Sequence, residues 1–481
     1  WMILILGWVF VPFYSRSMVY TMPEFLERRY NPQSRTILSV ISLVSYVLTK
    51  VAVTVYAGGL VFQQVFGIKE LWGIDFFWIA AIGLVVLTAL YTIFGGMKSV
   101  LYTSVLQTPI LLLGSLIILV LGFKELGGWD EMMRVCGAVT VNDYGDTMTN
   151  LIRSNDDANF PWLGALIGSA IIGFWYWCTD QFIVQRVLSG KNEKEARRGT
   201  IFGAYLKLLP VFLFLIPGMI AFALHQKYIG AGGEGFLPML ANGTANADAA
   251  FPTLVAKLLP AGVKGLVVCG ILAALMSSLA SLFNSSAMLF TIDFYKRFRP
   301  ETPEKKLVGI GQIATVVIVI LGILWIPIMR SVGDVLYTYL QDVQSVLAPG
   351  IAAAFLLGIC WKRTSAQGGM WGLIAGMIIG LTRLGAKVYY SNAGEVADST
   401  FKYLFYDMNW LFFCGWMFLF CIIVVIVVSL ATEAPTAEKI QGLVFGTATK
   451  EQKAATRASW DHWDICLLYT SPSPRDRTRS R

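Results

Sequence analysis

Apolar stretches of the length a bilayer demands, roughly 20 residues, recur along the whole chain. They fall at about 1–15, 37–66, 74–94, 100–122, 162–187, 200–224, 262–291, 307–329, 334–360, 367–390 and 405–431. Short polar connections separate most of them, and two longer ones, 125–160 and 226–260, are rich in Gly, Asn and Asp. The pattern predicts an all-α membrane protein of about eleven crossings.

Charge orients these crossings. Arg16, Arg28, Arg29 and Arg35; Lys98; Arg186, Lys191, Lys194, Arg197 and Arg198; Lys296, Arg297, Arg299, Lys305 and Lys306; and Lys362 with Arg363 occupy alternate connections, which the positive-inside rule assigns to the cytoplasm. Residues 100–122 then run outward and 262–291 inward. The transmembrane domain is expected over 1–432, with a cytoplasmic polar segment at 433–465. The run "CLLYTSPSPRDRTRSR" at 466–481 has no core-forming pattern and is expected to be a non-native tail. Residue 1 already lies in an apolar span without an initiating Met, so the natural start is expected upstream.

Composition agrees: 56% of residues are hydrophobic and 14% charged, against about 25% charged in a soluble domain. The net charge of +8 is scattered between apolar runs and forms no basic face, which excludes nucleic-acid binding. Seven cysteines show no metal-type clustering, and those within spans (Cys178, Cys269, Cys360, Cys414, Cys421) read as small buried hydrophobes.

One crossing is anomalous. "ALMSSLASLFNSSA", 274–287, carries Ser277, Ser278, Ser281, Asn284, Ser285 and Ser286, although an unpartnered polar group in hydrocarbon costs several kcal/mol. Ala274, Ser278, Ser281 and Ser285 recur at intervals of four, three and four, so they share one helical stripe with Ser277 beside it. Two readings stay open. Small residues permit close helix approach and serines bond their own i−4 carbonyls; alternatively, hydroxyls and a carbonyl replace the water shell of a small hard cation.

"YTMPEFLERRYN" (20–31), "YTIFGGMKSV" (91–100), "FWYWCTDQFIVQRVLSGK" (174–191), the serine-rich block (274–298) and "YLQDVQSVLAPGIAAAFLLGICWKR" (339–363) together resemble the sodium/solute symporter family, in its sodium/glucose cotransporter branch. The likeness covers about residues 1–465. It implies the inverted-repeat transporter fold, two five-helix halves around a mid-membrane site, with the first core helix missing from this chain. It implies a sodium site at Ala274 (through its carbonyl), Ser277 and Ser278, and sugar contacts at Gln341, Lys207, Tyr176 and Trp177. Tyr176 matches the inner aromatic gate and Tyr337 an outer or middle gate. Gln341 offers both donor and acceptor to a vicinal diol; Lys207, about two turns from the cytoplasmic end of its span, can also snorkel.

Departures are visible as well. Gly173 stands where relatives often place a polar sugar contact, and Ser104, in "YTSVLQ", stands where many have Asp, so one sodium per cycle is expected. Asp180 is expected to pair with Arg186 near the cytoplasmic end, while Lys50 has no assigned role. The function implied is sodium-coupled symport of a sugar or small polyol; a bacterial inner membrane is the expected location. A non-sugar solute (monocarboxylate or amino acid) or a transporter-like sensor is the alternative. A channel would show ringed pore charges; an enzyme would need a catalytic constellation, yet the only histidines are His225 and His462, outside the spans.

Overall fold

The computed structural model describes all residues except 18, 20, 241–242, 333–334, 393–396, 459 and 461–481; the expected tail lies outside this set. Among the described residues nine helices are long and apolar enough to cross a membrane, and two shorter apolar helices join them. In chain order the principal elements are α1 (Met2–Ser15), α2 (Met22–Arg29), α3 (Pro32–Phe66), α4 (Phe76–Leu126), α5 (Trp162–Thr179), α6 (Gln181–Leu188) and α7 (Glu193–Gly230). They continue with α8 (Ala250–Leu258), α9 (Ala261–Phe298), α10 (Glu304–Val332), α11 (Leu336–Cys360), α12 (Ala366–Asn392) and α13 (Trp410–Ala431).

Side-chain caps explain where several begin. Thr21 accepts the Glu24 N–H ahead of Pro23, and Asn31 accepts the Ser34 N–H with Pro32 following it. Asp75, Asp180, Asn192 and Asn409 cap α4, α6, α7 and α13 in the same way, satisfying amides that the first turn leaves without an intrahelical partner.

The two spans expected on either side of Lys98 lie on the single helix α4, which is 51 residues long. Helical hydrogen bonding is assigned through Gly95, Gly96 and Pro109, yet the two halves lie close together: Gly58 of α3 meets Leu84 of the first half and Leu275 of α9, two residues from the Ser277 that meets Ser104 of the second, as two crossings on either side of Lys98 require. The side chains between 93 and 101, Lys98 included, lie outside the description. The first half of α4 packs on α3, where Gly58 meets Leu84 and Gly59 meets Phe77. The second half runs antiparallel to α9 through Ser104–Ser277, Ile110–Gly270 and Gly114–Val267.

A second packing centre joins α11, α12 and α13. A Cβ added at Gly376 would stand 2.6 Å from Gly350 Cα, so the α11–α12 crossing depends on glycine there, as small-residue contacts between membrane helices do. The fully buried Arg29 of α2 donates from Nε to Gly358 O (2.7 Å) and from its terminal nitrogen to Thr364 O (3.1 Å), covering carbonyls at and just beyond the end of α11. π-helical turns interrupt α3 at Tyr46–Val51 and α9 at Leu289–Tyr295, and one forms the end of α5 at Trp175–Thr179. Such turns widen a helix locally and are frequent at functional sites.

Candidate functional site

The hydroxyl seam of α9 has divided uses. Ser277 is buried, and its Oγ lies 2.6 Å from Ser104 Oγ on α4, so it bonds across the helix interface rather than back along its own helix. One turn on, Ser281 Oγ accepts from Arg186 at 2.5 Å while its carbonyl accepts from Gln185 Nε2 at 3.0 Å. Ser285 follows the packing reading, donating to Ser281 O at 2.8 Å. Ser286 Oγ is buried without a hydrogen-bond partner among the described residues. Ala274 and Ser278 are half-buried on the same segment. Ala274, Ser277 and Ser278 thus offer hard oxygen donors beside a further hydroxyl, Ser104, which suits an alkali cation.

The aromatic residues sit on the π turn of α5. Tyr176 and Trp177 are half-buried with rings 5.1 Å apart and nearly perpendicular. Lys207 occupies the turn that interrupts α7; it is exposed, and its Nζ stands 5.5 Å from the Trp177 ring centroid. The structure therefore brings Tyr176, Trp177 and Lys207 into one cluster. Gly173, three residues before Tyr176, gives its space to Met2 of α1, whose Cγ is 3.1 Å from where a Cβ would be.

Beside this cluster the expected Asp180–Arg186 pair is replaced. Asp180 forms a buried ion pair with Lys50, which projects from the π turn of α3, and its other oxygen accepts from Tyr46 Oη at 3.0 Å and from the Phe182 N–H at 3.0 Å. Geometry decides the exchange. Asp180 is the N-cap of α6 and faces the π turn of α3, whereas Arg186 lies six residues along α6 and turns to Ser281. Lys50 Nζ also lies 5.3 Å from the Tyr176 ring centroid, 4.6 Å from that of Tyr46 and 4.4 Å from that of Phe182. The periodicity gave no sign of this pair; an intramembrane lysine of unassigned role was the only signal.

Gln341 is half-buried on α11, which packs against the π turns carrying Lys50 and Tyr176. The next residue, Asp342, is buried and faces α12, pairing with Lys387 (2.6 Å) and Arg383 (3.5 Å). Tyr337, one turn earlier, is 55% exposed, and its ring lies 6.4 Å from that of Phe160. Gln341 and the serine seam are joined through the α3 π turn, which packs on both α9 and α11. A cavity of 620 Å³ lies about two turns beyond Ser277 along α9, lined by Gln185, Asn192, Asn284 and Met288.

Residues 1–376 match the profile of the sodium:solute symporter family. The chain belongs to that family. It is 37% identical over 463 residues to a sodium/mannose cotransporter of Bos taurus, covering 94% of this chain and 76% of the relative. To sodium/myo-inositol cotransporter 2 of Homo sapiens it is 35% identical, covering 92% and 67% respectively, and to sodium/glucose cotransporter 1 of Ovis aries 37% identical, covering 90% and 67%. Among solved structures, the substrate-bound outward-open state of a Na+-coupled sialic acid symporter superposes with a TM-score of 0.66 at 22% identity, covering 90% of this chain and 82% of that one. The fold is accordingly that of a sodium-coupled symporter, the inverted-repeat class, and this family member is a multi-pass membrane transporter rather than an enzyme.

Proposed function

We propose that the protein is a sodium-coupled symporter of a sugar or related small polyol, working by alternating access. The observation that carries this is the 35–37% identity, over nine-tenths of the chain, to cotransporters named for mannose, myo-inositol and glucose. Sodium is a transported substrate here. Ala274, Ser277 and Ser278 hold it, with the neighbouring Ser104 hydroxyl in place of a carboxylate. Gln341 hydrogen-bonds the solute; Tyr176 and Trp177 cover its apolar face and close the inner side, Lys207 approaches its hydroxyls, and Tyr337 closes the outer side. Aromatic faces and amides are the groups a pyranose or cyclitol needs, because it presents a ring of C–H bonds and a rim of hydroxyls.

Sodium supplies the drive. One charge crossing 100 mV releases about 2.3 kcal/mol, before any concentration term. Coupling requires that the ion favour one conformation over the other, and an interhelical hydroxyl pair such as Ser104–Ser277 provides that difference if α4 and α9 separate. The reported relatives come from animals, so a bacterial inner membrane stays an expectation of the sequence alone.

One observation favours a second reading, an anionic solute. Asp342, adjacent to Gln341, is flanked by two cations, Arg383 and Lys387, leaving a surplus positive charge beside the solute-binding helix. The experiment is uptake of labelled glucose, myo-inositol and lactate into proteoliposomes with sodium or potassium outside, competed by unlabelled sugar. Sodium-stimulated uptake blocked by sugar upholds the symport reading. Sodium-stimulated uptake of labelled lactate that neither sugar blocks favours the anionic solute, and equal uptake in sodium and potassium refutes coupling.

A further inference from the structure

A cavity of 450 Å³ opens between the C-terminal end of α3, the segment 234–239 and α8, on the side that the loop charges assign to the exterior. Four polar side chains line it: Gln64, Glu234, Thr253 and Lys257. Apolar groups, among them Phe236 and Met239, complete the wall. The volume falls in the range of small-molecule sites, roughly 300–1,000 Å³.

Thr253 is the informative member. It is 4% exposed, yet its hydroxyl has no hydrogen-bond partner among the described residues. Other helical threonines of this protein are not left so: Thr88, Thr92, Thr200 and Thr291 each donate to the carbonyl four residues earlier, at 2.5–2.7 Å. A buried hydroxyl is ordinarily satisfied, and a ligand in the cavity supplies the partner that this one lacks.

The remaining groups indicate the ligand's chemistry. Glu234 and Lys257 cancel in charge, so neither a cation nor an anion is matched without leaving an opposite charge unpaired. Lys257 Nζ donates to Phe236 O at 2.7 Å and has two further protons to give. Gln64 and Thr253 can each donate and accept. Alternating donors and acceptors with no net charge fit a neutral molecule whose hydroxyls do both. The location also fits the transport path. Thr253 lies five residues after Asp248, whose carboxylate oxygens both stand 3.1 Å from the Leu336 N–H at the start of the Gln341 helix.

We propose that this cavity is a second, external binding site for a neutral polyol, distinct from the site at Gln341; the choice of ligand class rests on the symport reading above. The test is equilibrium binding of labelled glucose or myo-inositol to the purified full chain in sodium, counted per chain. Two sites are expected in the wild type and one in Gln341→Ala. One is also expected in Thr253→Val and in Glu234→Gln, an exposed and structurally mild change, with sodium-driven uptake retained in both. A single site in the wild type that neither change alters would overturn the proposal, as would loss of all binding in Gln341→Ala. Absence of sodium-stimulated uptake together with binding that Thr253→Val abolishes would refute the transport reading and leave the external site standing.

Discussion

The Lys50–Asp180 pair offers the most quantitative test. Both side chains are buried, at 9% and 3% exposure, and removing one partner strands the other in apolar surroundings. Lys50→Met leaves the Asp180 carboxylate with only the Tyr46 hydroxyl and the Phe182 amide, and breaking a buried pair in this way costs about 3–5 kcal/mol. Asp180→Asn strands the ammonium instead and is expected to cost a similar amount. The double variant Lys50→Met/Asp180→Asn removes both charges. It should recover a coupling energy of about 2–3 kcal/mol relative to the sum of the singles, at the upper end of measured values for residues in contact. Unfolding in micelles titrated with a denaturing detergent, followed by tryptophan fluorescence, reads all four corners of the cycle. Single variants costing under about 1 kcal/mol, or an additive double, would refute the assignment. The folded double variant also separates stability from transport. Without the ammonium over its ring Tyr176 loses a cation–π contact, about 0.5–2 kcal/mol, so solute half-saturation should rise even where the fold is intact.

Three further outcomes are expected. Ser278→Ala should raise the sodium concentration for half-maximal uptake several-fold while Gln341→Ala weakens sugar affinity more than sodium affinity; small, equal shifts from both would mark them as packing residues. Asp248→Ala should lower stability by about 1 kcal/mol, the ordinary worth of an N-cap, because α11 has no side-chain cap of its own; a variant as stable as wild type in the same detergent titration counts against it. Asp157 accepts the Phe160 and Asn159 amides at 2.7 and 2.9 Å and meets Arg153. Burial raises its carboxyl, but these partners outweigh burial and hold it below its ordinary value. A depressed folded value makes its contribution to stability full above about pH 4, its unfolded value, and lost as pH falls through the folded one. Hydrogen exchange over 155–160 should therefore accelerate in that acid range in the wild type and show no such step in Asp157→Asn.

The crossings were legible because bilayer thickness sets their length and hydrocarbon excludes charge, so runs such as 262–291 and 405–431 announce themselves. The serine seam was legible for the complementary reason: polar groups in an apolar span need partners, and Ser277 and Ser281 have them on other helices. Which partner each takes was not legible. Arg186 is the expected partner of Asp180 near the cytoplasmic end, whereas a π turn in α3 brings Lys50, 130 residues distant, to it. Helical periodicity carries no mark of such a turn.

The same contrast explains why the candidate site is assembled from interruptions. Tyr176 and Trp177 sit on one π turn, Lys50 on another, Lys207 at a break in α7, and Gln341 on the helix that packs against both π turns. A regular helix satisfies its own amides and can only present side chains; an interrupted one also frees backbone groups and can bend. If these interruptions are what allow the halves to move, straightening one should trap a conformation without destroying the site. Deleting a single residue from the α5 π turn, such as Thr179, would return it to α-helical register and draw Asp180, the extended N-cap that follows the turn, out of place opposite Lys50. Solute binding at Gln341 should persist in such a variant while sodium-driven uptake is lost; retained uptake would show that the turn is structural only.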